Sequence, residues 1–239
     1  MTATLLSSTG KITRQELALI PTPAATGTHK PIPHHEIVQA LVETLGFRHI
    51  AVVHDEYAVS TDGMKMFGIL ELETGMTGVR FSIGLRNAND RSMRLAMTVG
   101  YRVMVCSNMA FSGDFTPMLS KHSKNFNLIE AAALGVDRMQ RNFEPMRRQI
   151  DLWRDSQIAD VTAKLVIYEA FIEGGLEVSK HLARTVHDQY FNPQLEEFQP
   201  RTMWSLSNAF TSAFKELGAI PQFKAAAKVG PFLERFTRT

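Results

Sequence analysis

The chain has 239 residues, 44% apolar and 21% charged, with 26 Lys+Arg against 24 Asp+Glu and a single cysteine. A chain of that length and composition buries a sizeable core, so wholesale disorder is excluded. One thiol excludes an internal disulfide and a cysteine-rich zinc site, and no apolar run reaches the roughly 18 residues of a membrane helix.

The first 33 residues mix Thr, Ser, Ala and Pro, with Pro21, Pro23, Pro31 and Pro33 and little apolar periodicity, and read as an extended arm. From His34 to Leu45 the residues Ile37, Val38, Leu41, Val42 and Leu45 fall at helical spacing, with Gly46 as the predicted stop.

Strand patterns fill the stretch up to Ala110. Tyr57 and Val59 alternate with their neighbours before Ser60-Thr61-Asp62-Gly63, whose Asp-Gly predicts a tight hairpin turn. In the return strand, Met66 to Glu73, the residues Gly68, Leu70 and Leu72 face one way. Ile69, Glu71 and Glu73 face the other, read as the solvent side. Val79, Phe81, Ile83 and Leu85 alternate strictly with Arg80, Ser82, Gly84 and Arg86, and Asn87-Ala88-Asn89-Asp90 reads as a polar turn. Ser92 to Val99 fits strand or helix, and Tyr101 to Val105 reads as a buried strand.

Beyond Asp114 the pattern is helical. Asn127 and Glu130 form a capping pair for a helix carrying Leu128, Ala132, Val136, Met139, Phe143, Met146 and Ile150, which Pro145 is expected to kink or end. Trp153 to Ile172 reads as a second long helix closed by Gly174-Gly175. Thr202 caps a third that Gly218 and Pro221 end. The expected fold class is α+β: an antiparallel meander of about four or five strands packed with an N-terminal helix and a long C-terminal helical region. The expected divisions are an arm at 1–33, a sheet domain at 34–126 and helices at 127–239, sharing one core.

Charge is uneven. Residues 75–150 hold 11 basic against 5 acidic residues, a net of +6, while 1–74 and 151–239 are at −3 and −1. Arginine's planar fork suits phosphate oxygens, so Arg80, Arg86, Arg91, Arg94 and Arg102, with Lys121 and Lys124, are the candidate nucleic-acid contacts, a solvated face being the alternative. Phe81, Tyr101, Phe111, Phe115 and Phe126 interleave with them. Phe81 alternates in phase with the core, whereas Phe111 and Phe115 sit in a polar loop where bases could stack.

Other chemistries are less well served. His34 and His35 are neighbours about 100° apart on a helix and chelate poorly together, so no metal is expected there. Cys106 reads as an inert thiol at the end of a buried strand. Asp55, Glu56, Asp62, Glu71 and Glu73 are the carboxylates a Mg²⁺ nuclease would use, but none stands two before a lysine in the strand region. No GxxxxGK[ST] or GxGxxG is present, so no nucleotide cofactor is expected.

Several segments together resemble a known family. They are Pro21-Thr22-Pro23 through Pro31-Ile32-Pro33-His34, the hairpin from Ser60 to Gly68, Arg86-Asn87-Ala88-Asn89-Asp90-Arg91-Ser92, Gly100 to Asn108, and Met203-Trp204-Ser205-Leu206-Ser207-Asn208-Ala209-Phe210. These resemble the phage- and plasmid-encoded proteins of domain of unknown function family 932. Where family members typically carry Ser-His-Asp in the turn, this chain has Asn87-Ala88-Asn89-Asp90, so no role for a turn histidine carries over. The resemblance implies work on the nucleic acid of mobile elements in the cytoplasm of a bacterial host. A distant analogy with Rad52-like phage annealing proteins suggests ATP-independent binding and annealing of single-stranded DNA by a homo-oligomer, ring or filament, with the arm docked on a neighbouring subunit. The alternatives are a protein that inhibits a host defence enzyme and a metal-dependent nuclease.

Overall fold

The computed structural model describes residues 11–106, 108–111, 116–217 and 219–237. Its strands are β1 (Lys11–Ile12), β2 (Val52–Val59), β3 (Lys65–Leu72), β4 (Val79–Ala88), β5 (Leu95–Val103), β6 (Met109–Phe111) and β7 (Met118–Ser120). Its α-helices are α1 (Arg14–Leu17), α2 (His34–Phe47), α3 (Leu128–Asp155), α4 (Asp160–Phe171), α5 (Leu182–Phe191), α6 (Met203–Ala213) and α7 (Ala219–Glu234). The fold class is α+β, as the change from period two to helical spacing predicts. Packing gathers the described residues into two compact units, one of 11–102 and 116–142, the other of 103–111 and 143–237. The divisions fall at the end of β5 and inside α3, not at linkers.

In the first unit β1 to β5 neighbour one another in chain order, and β7 pairs antiparallel with β5. The register Tyr57↔Gly68↔Leu85 and Asp55↔Leu70↔Ile83 puts the apolar residues of β2, β3 and β4 on one face. Gly68 has a positional reason. A Cβ there would sit 2.9 Å from the ring of Tyr57 on the neighbouring strand, so the glycine leaves room for a fully buried aromatic. The Asp-Gly segment makes a longer loop than the tight turn expected. Ser60 N–H bonds to Lys65 O at 2.9 Å, Asp62 Oδ1 accepts from Met64 N–H at 3.0 Å, and Gly63 takes φ 70. On the helical side, Gly135 of α3 lies so near Met97 and Met118 that an added Cβ would meet them at 3.1 and 3.2 Å.

Residues 11–33 are not a free arm. β1 pairs with β2, Thr13 and Glu16 form a capping box at α1, Arg14 donates from Nε to Asp55 at 2.8 Å, and Leu17 is fully buried. Lys11 and Ile12 of the expected arm lie on the chain's own sheet and His29 bridges to Ser123; residues 1–10 lie outside the described ones. α2 passes through the predicted stop at Gly46, and His49 takes the left-handed conformation at φ 58.

In the second unit α6 is buried on nearly every side, from Met203 to Thr211. Thr202 caps it as predicted, accepting from Ser205 N–H at 3.2 Å. The predicted helix over Trp153 to Ile172 is split. Residues 156–158 pair with the strand-like entry to α6, Met203 N–H bonding to Ser156 O at 2.9 Å and Ile158 N–H to Arg201 O at 2.8 Å. Pro145 does not end α3, which runs on to Asp155. It sits on the exposed side, where water can take up the carbonyl its missing N–H leaves free. Likewise Pro221 falls in the first turn of α7, where no N–H is needed. α5 escaped the periodicity reading because only Leu182, Val186 and Tyr190 form its buried stripe.

Candidate nucleic-acid interface

β4 ends later than its alternation suggests, at Ala88, and the turn after it carries the first two cations of the site. Asp90 organises that turn, accepting at Oδ1 from Ser92 N–H at 2.9 Å and from Ser92 Oγ at 2.6 Å, while Lys65 Nζ lies 3.3 Å from its Oδ2. Arg91 adopts φ 68, a left-handed position that turns the chain sharply. Its Nη2 donates to Thr26 Oγ1 at 2.9 Å. Arg94 follows, just before β5.

The 26–33 segment is held against this turn by buried amides. Asn89 exchanges two bonds with the backbone of Ile32, donating to its carbonyl and accepting from its N–H, both at 3.1 Å. Asn87 donates to Ile32 O at 3.3 Å and meets His34 Nδ1 at 2.8 Å, while His34 Nε2 lies 3.0 Å from Gly63 O. Burial pushes His34 below the ordinary histidine range. Asn87 and Asn89 are therefore structural: they pin the proline-rich segment to the end of β4.

That docking brings His29 beside the strand end of β7. Its ring stacks on His122 with centroids 5.4 Å apart and planes 13° from parallel. Carbonyl oxygens lie near both His29 nitrogens, His122 O at 3.1 Å from Nδ1 and Asn89 O at 3.2 Å from Nε2. His122 is different. It is only 6% exposed, and neither ring nitrogen has a hydrogen-bond partner among the described residues. Burial first, then the neighbouring His29 and His34, lower it to about 4, so it is neutral at pH 7.

These elements enclose an open cavity of about 430 Å³, whose walls include Arg91, Arg94 and Lys121 together with His29 and His122. The hydroxyls of Thr28, Ser92 and Ser123 line it as well. A second cavity of about 350 Å³ shares Ser123 and is lined by Phe126 and Arg138. Arg86 is exposed and shares its strand face with Ala88, a wall residue of the first cavity, two positions and roughly 7 Å further along β4. No carboxylate lies within ion-pair distance of Arg86, Arg91, Arg94, Lys121 or Lys124 among the described residues.

The remaining candidates separate from this group. Arg102 is buried, 7% exposed, and its guanidinium is engaged by the Glu71 carboxylate; Arg80 Nη1 reaches the same carboxylate at 3.4 Å. Glu71 is thus no solvent-side residue but the centre of a buried Arg–Glu–Arg cluster, 2% exposed, which removes it from a metal-binding face and removes Arg102 from a phosphate-binding one. Lys124 is exposed but does not line the cavity. Phe81 and Tyr101 are core residues, while the side chain of Phe111 and all of Phe115 lie outside the described residues. Cys106 stands in the turn after β5 rather than in a strand. Its carbonyl accepts from Lys215 Nζ at 2.5 Å, and burial raises its thiol, which suits an inert cysteine.

Sequence reasoning missed His29 and His122. The signal was present in two short segments that place histidine between a hydroxyl and a lysine, Thr28-His29-Lys30 and Lys121-His122-Ser123. No curated protein and no solved structure matches the chain. The segment from residue 25 to residue 228, which contains the whole cavity, matches the family described as Domain of unknown function (DUF932), and the chain belongs to that family.

Proposed function

We propose that this protein binds single-stranded DNA along Arg86, Arg91, Arg94 and Lys121 and promotes pairing of complementary strands without nucleotide hydrolysis, as a homo-oligomer serving recombination of a phage or plasmid. The observation that carries this reading is the set of cations without acidic partners around one open cavity. Cations left unpaired by the fold are available to phosphates, and binding them releases counterions. Phe126 adds a flat face beside the cationic track, which suits bases without selecting a sequence.

The test is oligonucleotide binding at two salt concentrations, followed by strand pairing without ATP. Affinity should fall steeply with salt, and Arg86→Ala and Arg91→Ala should each weaken binding and flatten the salt dependence by about one ion. A monomer without affinity for single strands at low salt would sink the proposal.

A second reading, a protein that acts by binding a host enzyme, is favoured by one observation. Val161, Leu165, Tyr168 and Ile172 form a stripe on α4 and are each 44 to 78% exposed. Retained oligonucleotide binding in Leu165→Lys, with loss of activity in the host, would favour that reading.

A further inference from the structure

Beyond a general phosphate track, the cavity includes a buried lining residue, and its chemistry differs from what a continuous backbone requires. Internal phosphodiesters carry one negative charge and two free oxygens each. Strand binders meet them with cations spaced along an open groove. Here Arg91, Arg94 and Lys121 converge on one volume of about 430 Å³, joined by the hydroxyls of Ser92 and Ser123. His122 lines the same volume, more than nine-tenths buried and with both ring nitrogens lacking partners among the described residues. A buried imidazole without hydrogen bonds is costly unless a ligand completes it. His29, with carbonyl oxygens near both of its nitrogens, stacks against it.

We propose that this cavity is a receptor for a terminal phosphomonoester, the phosphorylated end of a strand or a nucleoside monophosphate, with Arg91, Arg94 and Lys121 holding the dianion and His122 donating to one of its oxygens. The proposal rests on reading the cation group as a phosphate-binding surface, and it narrows that reading to the end of a strand. A phosphomonoester near neutrality carries between one and two negative charges and three free oxygens. That matches three convergent cations and the surrounding hydroxyls better than a diester does. His122 fits because it is neutral: one nitrogen carries the proton it donates, and no carboxylate competes for it. The titratable groups that act on it are His29 and His34, and the three cations line the same cavity.

The experiment compares one oligonucleotide sequence in three forms, 5′-phosphorylated, 3′-phosphorylated and hydroxyl-ended, by fluorescence anisotropy. A nucleoside monophosphate is titrated separately, with the His122 ring followed by proton NMR. A phosphorylated end should bind about tenfold more tightly than a hydroxyl end, and the two phosphorylated strands tell which end is taken. Arg94→Ala changes an exposed residue and should abolish that advantage without unfolding the protein, while His122→Phe keeps the stack on His29 and should do the same. The nucleoside monophosphate should shift the His122 resonances in the parent but not in Arg94→Ala. Equal affinity for all three strands, or no shift with millimolar nucleoside monophosphate, overturns the proposal and leaves strand binding standing. A His122 shift with the mononucleotide but no affinity for hydroxyl-ended strands sustains the pocket and removes the annealing reading.

Discussion

Arg102 separates a structural arginine from a phosphate-binding one, and Arg102→Ala makes the distinction measurable. The side chains of Arg102 and Glu71 are 8% and 3% exposed, so the substitution leaves a carboxylate buried beside Arg80 alone, at 3.4 Å. Removing one partner from a buried ion pair typically costs 3–5 kcal/mol. Arg80 remains to compensate, so about 3 kcal/mol is expected here, including the lost packing of the arginine stem. For a chain of this size that corresponds to a fall in Tm of roughly 6–12 °C. Thermal unfolding by circular dichroism reads the stability, and anisotropy with an oligonucleotide, well below the variant's Tm, reads binding by the folded protein. Affinity should match the parent. Pairing Glu71→Leu with Arg102→Met should recover much of the loss, since apolar replacement of a buried ion pair is often neutral and Arg80, whose side chain is 34% exposed, can turn to water. If Arg102→Ala melted within a degree or two of the parent yet bound DNA as poorly as Arg94→Ala, the assignment of Arg102 to the core would be wrong.

Other consequences follow from single positions. Gly68→Ala drives a methyl into the Tyr57 ring 2.9 Å away and should cost about 2 kcal/mol in urea unfolding; an unchanged midpoint would mean the strands at Tyr57↔Gly68 are looser than described. Thr202→Ala removes the cap of buried α6 and should cost about 1 kcal/mol, with Thr202→Asn recovering most of it. His122 sets a pH dependence. Its folded value of about 4 lies below the unfolded value of about 6.5, so between these the unfolded chain binds a proton the folded one does not, and stability falls as pH drops from 7 toward 4. With solvent screening at the cavity rim the loss is about 2 kcal/mol. His122→Phe should reduce that slope in unfolding measured at pH 7 and pH 5, and an unchanged slope would reject the neutral buried assignment.

Strict alternation in β4 made the sheet legible, because its period of two sets which residues share a face, whereas both faces of β3 are buried and Glu71 was misread as solvent-side. The caps at Asn127 and Thr202 were equally readable, since a side-chain oxygen beside an orphan N–H is a local matter. Pro145 misled, since it sits on a solvent face where the lost N–H is harmless and no local pattern distinguishes such a place, whereas α6 does end at Ala213, ahead of Gly218 and Pro221, as the sequence predicts.

The sequence by itself determined where the cations are concentrated and that a sheet of alternating strands carries them, because both are properties of neighbours along the chain. Which cations are usable was a tertiary decision. Arg80 and Arg102 lie within reach of Glu71 only through cross-strand register, and Arg91, Arg94 and Lys121 meet His29 and His122 only because Asn87 and Asn89 hold a distant proline-rich segment in place. Net charge by segment counts residues. The availability of a charge depends on whether the fold supplies its partner or leaves that partner to be bound.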